Sequence, residues 1–303
     1  MAASIAVAGA AAIGDYIFHV DHLPQRGEIV QVTSFSAGLV PGGCAPNIAA
    51  GVAALGRAGA ALHYPVGDDF DRSGLLEQWT RRGIDCGGLT RVPGVPSGCA
   101  WMYMQDDGAT MCFGYPGAAA AAEPDPPRAL PEWVVVAPVL NRYTAGYLDA
   151  ALRQGCRTVA TGIGSGGLGP WLGGLHALVV NRREADTLCL ELGPVRCRAL
   201  SAVYPELLLY VTDGGRGSRL YRGGTVYKIP PVQADRLTDF TGAGDSFTAG
   251  VVSALASGIA PERAGWYGAA MASFVIERLG GQCEMPSWAD LEQRLHSQFP
   301  AEF

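Results

Sequence analysis

The stretch Asp239-Phe-Thr-Gly-Ala-Gly-Asp245 sets three small residues between two acids, and an apolar, helix-like run follows from Ser246 to Gly258. A plain turn needs one glycine and a plain helix cap needs one Asp. Both together point to backbone N–H groups meeting an anion. Gly242, Ala243 and Gly244 can turn so that successive N–H groups face one space. A helix starting near Asp245 adds its unpaired N–H groups and the positive end of its dipole. Asp245, at the mouth of that space, is placed to take a proton from a hydroxyl as the hydroxyl attacks a phosphorus. Such a transfer rests on positioning and charge stabilisation, with the proton leaving late, so a carboxylate with a pKa far below 7 still serves. The competing reading is a simple N-cap, worth about 1 kcal/mol. On these residues alone the two readings weigh the same.

Four further groups of residues bear on that choice. In Pro41–Gly56, Gly42 and Gly43 allow close backbone approach to a ligand, and Asn47 opens a helix where its amide reaches a polyol; an N-terminal turn with a proline explains the stretch equally well. Asp15 follows the first strand, and a carboxylate there accepts two vicinal hydroxyls, or simply ends a strand in solvent. Asn181 and Glu184 lie three apart, so a helix start puts both on one side, either to hold waters around Mg²⁺ or to cap the helix. Thr212, Gly214 and Gly217 form a glycine turn after the strand Leu207–Tyr210, beside a nucleotide phosphate or as the entry to a hairpin.

Composition bounds the partners. The 303 residues are 49% hydrophobic and 17% charged, with a net charge of −6 and no basic block. That is a globular composition with no support for nucleic-acid or anionic-membrane binding. Lys228 is the only lysine and sits in Val-Tyr-Lys-Ile-Pro, which excludes a Walker-type phosphate loop. The eight cysteines are scattered without a Cys-x-x-Cys pair, so a zinc site is not expected. The amino-terminal segment lacks a basic leader and reads as a strand rather than a signal peptide. These features together predict a cytoplasmic protein with free thiols.

The elements that must position these residues follow from periodicity. Ser4–Ala10, Ala61–Gly67, Trp133–Pro138, Arg157–Gly162, Ala177–Asn181 and Leu207–Gly214 read as buried strands. Helices are expected at Ala45–Gly59, Asp71–Ile84, Thr144–Gly155, Arg182–Leu192 and Ser246–Gly258. A last helix at Ala264–Gly280 precedes a polar tail. A hairpin is expected at Ser218–Ile229. Continuous apolar strands alternating with helices predict an α/β fold, a doubly wound, mostly parallel sheet covered on both faces. Segments 15–37 and 98–115 alternate apolar and polar residues, the second turning at Asp106-Asp107-Gly108. They are expected to form a small antiparallel lid on a single domain spanning 1–303. The Ala- and Pro-rich segment Ala118–Pro131 reads as a surface loop.

The five groups occur in one chain and in one order. Gly42-Gly43…Asn47…Gly56 resembles the amino-terminal signature of the ribokinase-like, PfkB-type family of carbohydrate and nucleoside kinases. Asp239-x-Thr-Gly-Ala-Gly-Asp245 resembles its carboxyl-terminal signature. Val66–Gly74, Arg81–Asp85, Asn181-x-x-Glu184 and Thr212-x-Gly-x-x-Gly217 resemble the family too, so the likeness runs over essentially the whole chain. It implies transfer of the γ-phosphoryl group of ATP to a primary hydroxyl of a sugar, with Mg²⁺ as partner. By carry-over, Asp245 is the base and Gly242, Ala243 and Gly244 form the anion hole. Asp15, Gly42, Gly43 and Asn47 hold the acceptor. Asn181, Thr212, Gly214 and Gly217 face ATP, and Glu184 supports Mg²⁺ through water. Asp239 and Thr241 stand where many members bind a monovalent cation such as K⁺, and a lid sheet is able to pair two copies into a homodimer.

Departures from the family leave the acceptor open. Cys44 replaces the lysine that ribokinases carry after the double glycine, Glu284 replaces a usual serine, and Phe240 stands where a small or polar residue is common. Asp15–Pro24 looks as much like nucleoside kinases as sugar kinases, so a nucleoside is the alternative acceptor. Two rivals from other classes remain: a non-catalytic sugar-binding member of the fold, and a dinucleotide-binding oxidoreductase read from Gly162-x-Gly164-x-x-Gly167. Retention of Asp245 argues against the first. Pro170 and Gly173-Gly174, where the second needs a helix, argue against it.

Overall fold

The computed structural model describes residues 4–105, 110–137, 141–162, 167–193 and 195–303. The described chain opens with β1 (Ser4–Ala8), β2 (Gly14–Val20), β3 (Val32–Phe35), β4 (Val40–Pro41) and α1 (Cys44–Leu55). β5 (Gly59–Val66), α2 (Leu75–Arg81), β6 (Ile84–Arg91), β7 (Cys99–Met104), β8 (Thr110–Tyr115) and α3 (Ala118–Ala121) follow. β9 (Trp133–Val136), α4 (Arg142–Arg153), β10 (Arg157–Thr161), β11 (Ala177–Asn181), α5 (Arg182–Glu191) and α6 (Cys197–Val203) come next. The last part holds β12 (Leu208–Thr212), β13 (Ser218–Arg222), β14 (Thr225–Ile229), α7 (Ala243–Ala256), α8 (Pro261–Val275) and α9 (Trp288–Gln298).

Nine strands form one sheet in the order β14-β13-β12-β11-β10-β9-β1-β5-β6. Pairing is parallel from β12 through to β6, and only β13 and β14 run antiparallel. Parallel strands bury both faces, and the sequence shows why: alternate residues of one strand enter different cores. Val7, Val135, Val159, Val179 and Tyr210 join the core under α1, α7, α8 and α9. Ala6, Val134, Ala160, Leu178 and Leu209 join the core under α4, α5 and α6. The sheet is therefore the wall between two apolar layers, as expected from its continuous apolar strands.

A second sheet contains β3-β2-β7-β8, with β4 added to β2. Three of its pairings are antiparallel, but β2 and β7 pair in parallel, Tyr16 opposite Trp101. It is therefore mixed, because β2 and β7 both enter from the same end of the large sheet.

Several elements differ from the sequence expectations. The helix expected at Asp71–Ile84 is a 3-10 turn at Phe70–Ser73 and then α2, separated by Gly74 in a left-handed backbone. β6 and α6 were not expected: β6 carries two glycines, and α6 is only seven residues long. The tail is not merely polar. α9 forms there, opened by a capping box between Ser287 and Asp290, with Trp288, Leu291 and Leu295 buried. Ala118–Pro131 begins with α3 and continues without regular structure. After β10, Gly169–Trp171 is a single 3-10 turn, and no helix opens there. Gly164 and the Asp106-Asp107-Gly108 turn lie outside the described residues.

Tyr64 ties the two sheets together. Its ring is fully buried in β5. Its hydroxyl accepts from the Ala11 N–H at 2.8 Å and donates to the Ala12 carbonyl at 3.0 Å. Those residues form the crossing from β1 into β2. Tyr64→Phe leaves the Ala11 N–H without its partner, a cost of roughly 1–3 kcal/mol. It is expected to lower the urea midpoint while leaving the slope of the transition unchanged; an unchanged midpoint would show that water replaces the hydroxyl freely.

Candidate active site

α7 begins at Ala243, after Gly242 has turned the chain through a left-handed backbone with φ 75°. Only the Ala243 N–H is used in the turn, donating to Phe240 O at 3.2 Å. The N–H groups of Gly242, Gly244 and Asp245 have no partner among the described residues. They form the free donor end of a fourteen-residue helix, where the dipole favours an anion. A Cβ on Gly244 would meet nothing within 4 Å. Packing does not require glycine there, so the open space in front of it is available to a ligand.

Asp245 does not cap this helix, and the N-cap reading fails on that point. It lies within the first turn, and its Oδ2 accepts from Asn47 Nδ2 at 2.8 Å across 198 residues of chain. The Cys44 thiol is its second donor. Burial pushes the Asp245 carboxyl above the usual carboxylate range, against the pull of these two hydrogen bonds. Cys44 itself is pushed well up by burial and then by Asp245, so its thiol keeps its proton and remains a donor. Desolvation at the α1–α7 contact thus outweighs the donors.

Asn47 sits in the first turn of α1 rather than opening it, because the helix starts three residues earlier at Cys44. It is 3% exposed, and Gly281 lets the chain pass against it: a Cβ there would lie 2.5 Å from Asn47 Nδ2. Gly42 plays the same part for Asp15, since a Cβ would overlap the Asp15 carboxylate. Gly43, with φ 86°, passes against Ala12 O and precedes α1. Asp15 belongs to β2 rather than to the end of β1. Burial raises its pKa to about 6, with Asp239 and Asp245 adding repulsion.

Asp239 is almost fully buried and works as a staple. Its Oδ1 accepts from the Thr241 N–H and its Oδ2 from the Gly280 N–H, each at 2.8 Å. Both oxygens thus close the loop in front of α7 against the loop after α8. The neighbouring Gln282 extends the joint: its side chain donates to Gly42 O at 3.1 Å and accepts from Trp79 Nε1 at 3.0 Å. Sequence reasoning missed Gly281 and Gln282, which read only as part of the polar tail after the last expected helix.

At the carboxyl ends of β11 and β12, Asn181 and Thr212 are register partners. Asn181 and Glu184 form a reciprocal capping box, with Asn181 Oδ1 accepting from Glu184 N and Glu184 Oε2 from Asn181 N, both at 2.9 Å. The capping alternative therefore holds, and Glu184 Oε1 has no hydrogen-bond partner among the described residues. Burial raises the Glu184 pKa, and Asp245 adds to the rise, so the two acids sense each other. Thr212 Oγ1 reaches Val180 O at 3.5 Å. Gly214 and Gly217 close a turn through Gly217 N to Gly214 O at 2.9 Å. Asp213 in that turn is held down to about 2 by Arg216 and then Arg182.

A cleft of about 790 Å³ opens between the small sheet and the large one; Asp15 and Asn47 are not among the residues that line it. Tyr16, Trp101 and Tyr115 line it from the small sheet, and Phe70 from the opposite wall. Tyr16 and Trp101 stack with centroids 6.4 Å apart and planes 19° apart. These rings were missed as site residues. Their signal was the spacing of two along β2 and β7, which puts Tyr16 with Phe18 and Trp101 with Tyr103 on one face.

The chain matches the pfkB family of carbohydrate kinases over residues 2–163 and 167–288 and belongs to it. Its fold and site thereby define a phosphotransferase with an alcohol group as acceptor. A nucleoside kinase of Methanocaldococcus jannaschii is 30% identical over 93% of both chains. The crystal structure of Methanocaldococcus jannaschii nucleoside kinase, an archaeal member of the ribokinase family, superposes with a TM-score of 0.85. It is 28% identical and covers 97% of this chain and 98% of its own. Ribokinase from Cryptococcus neoformans, in complex with ADP, gives a TM-score of 0.81 at 22% identity, covering 97% and 100%. Ribokinase-family structures with ADP or ATP indicate that the family uses ATP. No helix among the described residues is long and apolar enough to cross a membrane.

The crowding of Asp15 by Asp239 and Asp245 makes a pH prediction. A carboxyl held above its ordinary 3.8 costs stability when ionised. That cost is complete above about pH 6, fades as the pH falls through that value, and is absent below the ordinary value. Asp15→Asn is therefore expected to melt at a higher temperature than wild type at neutral pH. The gap should close towards pH 4 by scanning calorimetry. An equal or lower melting temperature at neutral pH would show that the acids do not repel as described.

Proposed function

We propose that the chain transfers the γ-phosphoryl group of ATP to the primary hydroxyl of a nucleoside. The observation that carries this reading is the cleft against the small sheet, ringed by Tyr16, Trp101, Tyr115 and Phe70. A free pentose has no aromatic face to offer these rings, whereas the base of a nucleoside has one, and stacking contributes about 1–3 kcal/mol per base. The similarity to nucleoside kinases along most of the chain supports the same choice over the sugar acceptor.

In this reading Asp15 accepts hydrogen bonds from the ribose hydroxyls, and Gly42 and Gly43 bring the backbone close to them. Asp245 takes the proton of the attacking hydroxyl. Its raised pKa makes it a better proton acceptor than an exposed carboxylate, and Asn47 and Cys44 hold it in place. The N–H groups of Gly242, Gly244 and Asp245, with Ala243 setting the turn, receive the charge that builds on the phosphoryl oxygens. Asn181, Thr212, Gly214 and Gly217 lie along the nucleotide, at the strand ends of the large sheet. Glu184, whose Oε1 is unengaged and whose pKa burial has raised, fits the water shell of a Mg²⁺ ion that supplies charge neutralisation. Asp239 and Thr241 act as the loop staple, with both Asp239 oxygens already committed to N–H groups. The small sheet is the lid.

The acceptor is settled by measuring ADP release with a panel of nucleosides, pentoses and hexoses. The expected result is higher kcat/KM for a nucleoside than for any free sugar; a free sugar that turns over better than every nucleoside overturns the assignment. Asp245→Asn is expected to cut kcat by about 10²–10⁴-fold with little change in nucleotide affinity, and near-wild-type turnover would remove Asp245 from the chemistry. On the outer part of the lid, the rings of Phe35, Phe18, Tyr103 and Phe113 run in a ladder with centroids 6.3, 5.1 and 6.0 Å apart. Phe35 and Phe113 are more than half exposed. We take a second copy of the chain to cover them, so wild type should sediment as a dimer and Phe113→Glu as a monomer. A monomeric wild type overturns that part.

A further inference from the structure

We propose that Gln282 is a positioning residue for the acceptor: its side-chain amide holds the Gly42–Gly43 turn in the place that lets Asp15 take the acceptor's hydroxyls. The inference rests on the reading above that Asp15 and this turn hold the acceptor. It is the same whether those hydroxyls belong to a nucleoside or to a free sugar.

The turn has little to hold itself. Two successive glycines have no side chains to pack and the widest choice of backbone conformations, and Gly43 takes one with φ 86°. Its backbone bonds are few: the Gly42 N–H donates to Ile13 O at 3.3 Å, and Gly43 O accepts from the Asn47 N–H at 2.9 Å. Among the described residues one side chain bonds to the turn, that of Gln282, whose Nε2 donates to Gly42 O at 3.1 Å. Gly42 also lies against Asp15, where a Cβ would overlap the carboxylate. A shift of Gly42 therefore changes the space in front of Asp15.

Glutamine suits this position because one planar group both accepts and donates. Trp79 Nε1 donates to Gln282 Oε1 at 3.0 Å. An indole N–H can only donate, so it fixes which end of the amide faces which partner: Oε1 meets Trp79, and Nε2 meets Gly42. Gln282 is 6% exposed and Trp79 is fully buried, so the pair is sheltered from competing water. The backbone of Gln282 is fixed separately, since Arg82 donates to Gln282 O at 2.7 Å.

The residues just before it complete the joint. The Gly280 N–H binds Asp239, and Gly281 passes against Asn47. Three consecutive residues thus hold three parts of the site: Gly280 the loop before α7, Gly281 the partner of Asp245, and Gln282 the acceptor turn. The first two serve the phosphoryl end and the third serves the acceptor end. Loss of the Gln282 amide is therefore felt in acceptor affinity and not in nucleotide affinity.

The test measures acceptor KM, ATP KM and melting temperature for wild type, Gln282→Met and Trp79→Phe, with the acceptor that wild type uses best. Gln282→Met keeps the length of the side chain and removes its bond to Gly42. Trp79→Phe leaves a cavity in the core and removes the other bond, but Nε2 still donates to Gly42. Gln282→Met is expected to raise the acceptor KM about tenfold with the ATP KM unchanged. Trp79→Phe should melt lower than Gln282→Met and yet raise the acceptor KM less. A purely structural role would make the acceptor KM follow the melting temperature. That order, an unchanged acceptor KM in Gln282→Met, or an equal rise in both KM values overturns the role of Gln282 and leaves the acceptor reading intact. A free sugar as best acceptor overturns the nucleoside reading alone, and the Gln282 variants are then read with that sugar. A wild type that phosphorylates neither class overturns both.

Discussion

The hydrogen bond from Asn47 Nδ2 to Asp245 Oδ2 joins the first turn of α1 to the first turn of α7. The two signature stretches come from distant parts of the chain, and this contact brings them together. Its geometry depends on residues with no side chain. Gly281 makes room for Asn47, Gly242 turns the chain so that α7 starts where it does, and Gly42 lets Asp15 lie against the backbone. Asp239 and Gln282 then lock the loops that carry these glycines. The site is thus assembled by close backbone approach, with few long side chains involved.

Electrostatics are set by the same crowding. Asp15, Asp239 and Asp245 share a pocket with no Lys or Arg paired to any of them among the described residues. The positive potential comes instead from the N-terminus of α7, whose free N–H groups face the open space. Burial raises Asp15, Asp245 and Glu184 together. A carboxyl that is costly to ionise is a stronger proton acceptor, and it gains more from a hydroxyl or a cation than an exposed one would. The arrangement carries a cost in stability of the kind that sites commonly trade for function.

Much of the fold was readable because the signals were local. β1, β9, β10, β11 and β12 are short apolar runs, and α1, α4, α5 and α7 have clear periodicity or caps. What failed did so for local reasons. α9 hides behind polar residues because only Trp288, Leu291 and Leu295 face the core. β6 carries Gly87 and Gly88, which weaken a strand signal. The helix at 70–81 breaks at Gly74, where a left-handed backbone is needed. Asp245 stands in the first turn of α7, where the sequence puts it, but does not make the cap the sequence suggests. Its partner is Asn47, 198 positions away, and no local pattern encodes that.

The sequence by itself determined the class of chemistry. Small residues ahead of a helix make an anion-binding terminus wherever they occur, and an acid in the first turn is available beside it. It also determined the two-layered burial, since continuous apolar strands leave no face for solvent. Only the tertiary structure decided which residues share the site and what each is free to do. It showed that Asp239 is spent on backbone N–H groups, that Asn181 and Glu184 cap each other, and that four aromatic rings gather around one cleft. Hydrogen-bond partnership, burial and the pKa shifts that follow are properties of distance in space. For groups separated by a hundred residues or more, that distance exists only once the chain has folded.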